Sequence, residues 1–285
     1  MLRVNGVLKQ RVVTGSVLAV GFLVSLLGLP PLFFSLLMGL VLAYGAWEWS
    51  RLAGISSNVP RLLYVFLFVV LGVGLSFYLG LDRNTLFSEK TRLLLVIACT
   101  WWAVAVLWVQ SYPSSAAIWG ARWASLLMGV FILLPMWLAM TSLAVSNDGP
   151  LLVLSVVAIV ALADIGAYFT GKAFGRTKLA AKVSPGKTWE GLLGGQLSIA
   201  VVITAVGLFK GVAFEQLGLW LLLGLMAGGA SVVGDLVESM VKRHRGVKDS
   251  GTILPGHGGV LDRIDGLTAA LPVFALTLSL LHSRL

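Results

Sequence analysis

The sequence predicts an all-α, polytopic integral membrane protein, and three observations carry that reading. Hydrophobic residues make up 58% of the 285 residues and charged residues only 12%, about half the charged share of a soluble domain. Several apolar runs reach the roughly 20 residues that a helix needs to cross a bilayer. Their hydrophobicity is continuous rather than alternating, which favours helices over a closed barrel as the way to satisfy the backbone in lipid.

About nine spans are expected, near residues 12–29, 31–47, 62–80, 93–110, 123–144, 150–171, 191–209, 217–240 and 261–281. The first follows Arg3, Lys9 and Arg11 and resembles a signal peptide. It lacks a small-residue cleavage site and leads straight into a second span, so it reads as a retained helix. Pro30-Pro31 makes the first two spans a tight hairpin. The third to fifth are bounded by loops carrying Arg51 and Arg61, then Arg83, Lys90 and Arg92, then Arg122. The last four are bounded by two polar loops, 172–190 and 241–260, and by a short connection at Lys210.

Orientation follows from the bases. With the N-terminus in the cytoplasm, only Arg83, Lys90, Arg92, Lys210 and Arg284 of the 21 Lys and Arg face outward. The net charge of +9 therefore sits in inner loops between spans and does not indicate nucleic acid. The single cysteine, Cys99, excludes an internal disulfide. Of the twelve acidic residues, seven fall at or near the inner ends of the last four spans: Asp164, Glu190, Asp235, Glu238, Asp249, Asp262 and Asp265. Residues 150–285 thus read as a catalytic membrane region. Residues 1–149 read as scaffold, lipid groove or subunit contact, and the length of that helical half suggests a homodimer.

The chemistry concentrates between Ser239 and Asp265. Asp235 and Glu238 share one helical face at i and i+3, and Asp262 and Asp265 repeat that spacing at the start of the last span. Entering from opposite ends of one loop, these pairs are expected to gather four carboxylates around one cavity. Asp164, inside the sixth span, should face protein or water because a carboxylate in hydrocarbon is costly. Such hard oxygen ligands suit Mg²⁺, with Asp235, Asp262 and Asp164 as its candidate holders. The plain alternative is ion pairing with Lys242, Arg243 and Arg263. Gly256-His257-Gly258-Gly259 runs into a helix N-terminus, a geometry that can cradle phosphate. His257 there is either a phosphate donor or an ordinary loop histidine.

The other polar loop carries Ser184, Lys187, Thr188 and Glu190 as Ser-Pro-Gly-Lys-Thr-Trp-Glu before a helix. Gly186-Lys187-Thr188 is not a Walker A site, since Ala181 stands where its first glycine belongs and no strand is expected before it. Gly191 with Gly195, and Gly224 with Gly228, have the GxxxG spacing of close helix packing.

The run from Ser239 through Lys242-Arg243, Lys248-Asp249, Gly251, Leu254-Pro255 and His257-Gly258-Gly259-Val260 to Asp262-Arg263-Ile264-Asp265 closely resembles the signature of phosphatidate cytidylyltransferases, also called CDP-diacylglycerol synthases. Asp164-x-Gly166-Ala-Tyr168 and Ser184-Pro-Gly-Lys-Thr-x-Glu190-Gly191 are similar to further elements of that family. Before about residue 150 only length and hydropathy agree. The resemblance implies that CTP and phosphatidic acid give CDP-diacylglycerol and pyrophosphate, with Mg²⁺ at two divalent or mixed metal sites. It implies a bacterial-type inner membrane enzyme with a cytoplasmic site. Asp249, Lys248, Asp265 and His257 would be catalytic. Ser184, Lys187, Thr188, Glu190, Lys242, Arg243, Gly258, Gly259 and Arg263 would bind substrate. A CTP-dependent lipid kinase and an ion-coupled transporter are the competing readings. Transport favours midplane charges and internal repeats, and no repeat is seen.

Overall fold

Helices form where the hydropathy demands them, and their ends follow charge and capping. The computed structural model describes residues 2–81 and 84–281. Arg83 and Arg284, and the side chains of Arg3 and Lys9, lie outside the described residues. The elements are α1 (Leu2–Gly28), α2 (Pro31–Leu52), α3 (Asn58–Leu79), a 3₁₀ turn (Thr85–Phe87), α4 (Glu89–Gln110), α5 (Ala116–Trp119) and α6 (Arg122–Ala144). They continue as α7 (Gly149–Phe174), β1 (Lys178–Ala180), β2 (Ser184–Thr188), α8 (Trp189–Phe209), α9 (Phe214–His244) and α10 (Leu261–Leu281). Among the described residues, nine helices, all but the short α5, are long and apolar enough to cross a membrane.

Helices run past the expected span limits where charge supports their ends. Lys242, Arg243 and His244 form the last turn of α9, where cations complement the helix dipole. They belong to that helix and not to the 241–260 loop. Ser88 caps α4 by accepting from the Thr91 N–H at 3.2 Å, with Glu89 in the first turn. Asp164 also lies deeper than expected, ten residues before the end of α7, or about 15 Å along the axis.

The 172–190 segment is not a plain loop. β1 and β2 pair antiparallel, Lys178 opposite Thr188 and Ala180 opposite Ser184, which corrects the expectation that no strand precedes Gly186-Lys187-Thr188. Val183, only 1% exposed, anchors the turn, and Trp189 N–H donates to the Thr177 carbonyl at 2.9 Å.

The core centres on α6, whose most apolar window is 72% buried against 11% for α1. Indoles join it to α2: Trp49 donates to the Ser125 carbonyl at 2.7 Å, and Trp137 to the Ser35 carbonyl at 2.9 Å. Buried Trp N–H groups need such partners. α7 packs along α8 and α9 along α10. The GxxxG reading holds at both places: a Cβ on Gly195 would sit 2.6 Å from the Ala163 carbonyl oxygen, and one on Gly224 or Gly228 would strike Ile203 or Ile199. Gly234 lets α9 touch the backbone of α10 at Asp265. These crossings bring α7, α8, α9, α10 and the end of α2 together at one end of the bundle.

Candidate active site

The C-terminal turns of α9 meet the first turn of α10 through a buried charge cluster. Lys242 places Nζ 2.6 Å from Asp262 Oδ1 and 3.3 Å from Glu238 Oε1. The second contact is an ion pair and not an aligned hydrogen bond, and neither Glu238 oxygen has a hydrogen-bond partner. Asp262 Oδ2 accepts from Ser250 N at 2.8 Å, Gly259 N at 2.8 Å and Ser250 Oγ at 3.0 Å. The start of α10 favours an anion, and here the chain supplies its own. The Gly259 amide expected to hold phosphate is therefore committed to Asp262. Gly258, at φ +84°, carries the turn beside the same carboxylate.

The second cluster lies between α7, the hairpin and α9. Lys187 on β2 pairs with Asp235 at 2.5 Å, and Ser239 Oγ donates to Asp235 at 3.1 Å. Asp164 and Lys187 open onto a cavity of about 190 Å³, together with Tyr168, Gly186 and Thr188. Asp164 lies in the fields of Lys187, Asp235 and Arg263. Asp265 feels the charges of both clusters, of Asp235 and Lys187 on one side and Lys242 on the other, without an ion pair to either lysine, and its Oδ1 accepts from the Gly266 N–H at 2.8 Å. Asp265 and Glu238 also line a small void beside Trp49 and Thr268.

The four carboxylates thus divide into two groups rather than facing one point. Among the described residues, no three His, Cys, Asp or Glu side chains form a group able to hold one metal ion.

Other expected residues take defined places. Thr188 Oγ1 accepts from Gly191 N at 3.1 Å and caps α8. Glu190 accepts from Arg176 N and Thr177 N, each at 3.1 Å, and so ties the hairpin to α8. Arg243 reaches the Val183 carbonyl at 3.4 Å, bracing the hairpin against α9. Ser184 is half-buried on β2. Lys248, Asp249 and Arg263 are exposed, and the two bases are free to meet a polyanion. His257 packs its imidazole against Gly15 of α1, with Nδ1 buried and without a partner.

Sequence reasoning missed the contribution of α2. Glu48, 2% exposed, accepts from Ser250 Oγ at 3.1 Å and Leu261 N at 3.0 Å. Arg51 donates to the Ser250 carbonyl at 2.5 Å, and Arg245 to the Leu52 and Ala53 carbonyls, each at 2.6 Å. Part of the signal was present: Glu48 is the one carboxylate of α2, just past the expected span and inside the helix as it forms. Such a group is costly unless partnered, but nothing near it in sequence names the partner.

Fold and site together define a helical membrane protein that gathers carboxylates and bases at one end of its bundle. The chain belongs to the cytidylyltransferase family, whose model matches residues 9–281. It is 46% identical over 274 residues to the phosphatidate cytidylyltransferase of Pseudomonas aeruginosa, covering 95% of this chain and 97% of that protein. It is 40% identical over 283 residues to the phosphatidate cytidylyltransferase of Haemophilus influenzae, covering 94% and 97%. The enzyme of that name from Brucella suis is 36% identical over 252 residues, covering 85% and 82%. The chain is an integral membrane nucleotidyltransferase.

Proposed function

We propose that this chain joins CTP and phosphatidic acid to give CDP-diacylglycerol and pyrophosphate, at a site facing the cytoplasm. The observation that carries the reading is the family match across residues 9–281, with Lys187–Asp235 and Lys242–Asp262 assembled within the matched region. The concentration of bases at the same end of the bundle supports the orientation.

A phosphomonoester loses its second proton near pH 6, so the lipid phosphate is already a nucleophile and needs no general base. Its oxygen bonds to the α-phosphorus of CTP while the bond to the β-phosphate bridge breaks, and pyrophosphate leaves with the electron pair. The protein has to align two polyanions and neutralise their charge. Lys187 would turn from Asp235 to the triphosphate as it arrives. Lys248, Arg263 and Arg243, all exposed, would receive the phosphates. Lys242 keeps Asp262 and Glu238 compensated beneath them.

Mg²⁺ fits the donor set, since it needs only one or two carboxylates and takes phosphate oxygens and water for the rest. Asp235 and Asp164 would hold it, and Asp262 offers only Oδ1, which Lys242 occupies. When bound, the ion would supply charge neutralisation on the phosphates.

The test uses detergent-purified protein with α-labelled CTP, phosphatidic acid and Mg²⁺. Label entering the lipid, matched by pyrophosphate, is the expected result. Labelled CDP with unlabelled phosphorylated lipid would replace this reading with a lipid kinase.

A further inference from the structure

Glu48 lies on the opposite half of the chain from the signature loop, yet it closes that loop. Its Oε2 accepts from Ser250 Oγ near the start of the loop and from Leu261 N at its end. Its Oε1 has no hydrogen-bond partner and rests against Gly251 and Gly259, where an added Cβ on either would overlap the carboxylate. Both glycines are thus shaped around it. Ser250 Oγ lies between Glu48 and Asp262, 3.1 Å from one carboxylate and 3.0 Å from the other. Glu48 therefore reaches Asp262 through one hydroxyl, and Lys242 through Asp262.

We infer that Glu48 is a positioning residue for the reaction: it holds Ser250 and the first turn of α10, and through them sets the geometry of Asp262 and Lys242. The inference rests on the cytidylyl-transfer reading above. Removing the carboxylate strands the Leu261 amide in a buried place, leaves Ser250 Oγ with Asp262 alone, and the loop that presents Lys248, Asp249 and Arg263 loses its anchor. Glutamine keeps an acceptor oxygen in the same position. Alanine at Gly251 competes for the space of the carboxylate, and shortening Glu48 relieves that overlap, leaving only the Gly259 Cα at 3.0 Å.

The experiment compares the full chain with Glu48→Ala, Glu48→Gln, Gly251→Ala and the Glu48→Ala/Gly251→Ala double variant. Glu48→Ala should lower kcat by roughly tenfold to a hundredfold, the scale of a small misalignment, with a smaller rise in KM for CTP as the loop bearing Lys248 loosens. Glu48→Gln should restore most of the rate, and the double variant should be more stable than Gly251→Ala alone while staying as slow as Glu48→Ala. A folded Glu48→Ala variant with wild-type kcat would overturn the inference. So would a folded but inactive Glu48→Gln, or strict additivity in the double variant. Should Glu48→Ala not fold, Glu48→Gln and the double variant still decide.

Trypsin cleavage after Lys248 provides a readout without turnover. It should be faster in Glu48→Ala than in wild type, and equal rates would count against the clamp. Wild type that forms no labelled lipid would overturn the cytidylyl-transfer reading alone, leaving the cleavage comparison to judge Glu48.

Discussion

Two lysines in this site have opposite consequences when lost. Lys187 and Asp235 have side chains 23% and 31% exposed, so water can replace either partner and the pair adds little stability. Asp235→Asn should leave the thermal midpoint near wild type while lowering kcat on the order of 10²–10³-fold, the scale of losing one electrostatic contributor. Thermal melting and turnover on the same preparation check both halves. Lys242 is 10% exposed, facing Glu238 and Asp262 at 5% and 6%. Lys242→Met would leave two buried carboxylates uncompensated and should cost about 3–5 kcal/mol, read as a lower midpoint in detergent. Lys248→Ala, at an exposed position, should change stability by about 0.5 kcal/mol or less and raise KM for CTP.

At the scale of elements, the site depends on how closely α7 and α8 approach. Gly195 lies against the Ala163 carbonyl, one residue from Asp164, and α8 begins where the Lys187 strand ends. Gly195→Ala forces backbone from backbone and should cost about 1–3 kcal/mol as overpacking. It should also lower activity by separating Asp164 from Lys187. Gly218→Ala in α9 is the control, because its Cβ would meet nothing within 4 Å. It should be neutral or slightly stabilising by helix propensity. The nine spans were legible because continuous hydropathy is a one-dimensional signal. Their ends were less so, because a hydropathy window stops at Lys242 whereas helical hydrogen bonding continues to His244. The hairpin was hidden by its brevity, three residues against five. Within the candidate site, Asp235, Glu238, Asp262 and Asp265 stood out by spacing, yet they lie in two clusters, one on Lys187 and one on Lys242, and not around one cavity. Glu48 did not stand out, since its partners Ser250 and Leu261 lie some 200 residues away and no local pattern reports so distant a contact.

For the whole molecule, the strongest constraint is parity. The nine spans among the described residues put the start of α1 and the end of α10 on opposite faces, and α9 alone separates Lys210 from the signature loop. At 31 residues α9 is about 46 Å long, enough to cross the hydrocarbon core and project beyond it. Lys210 and Lys248 are both exposed, so each can report its side as a single cysteine. The only native cysteine, Cys99, lies within α4 and can be replaced by serine for this purpose. In intact cells a membrane-impermeant maleimide should label Lys210→Cys. It should label Lys248→Cys only after permeabilisation, because the positive-inside asymmetry puts the base-rich loops in the cytoplasm. The inverse pattern would put the signature loop outside, away from a cytoplasmic pool of nucleoside triphosphate, and would remove the orientation on which the proposed reaction depends. Labelling of both from one side would mean that α9 does not span, and with it the nine-helix arrangement that joins Glu48 on α2 to Asp262 on α10 would fail.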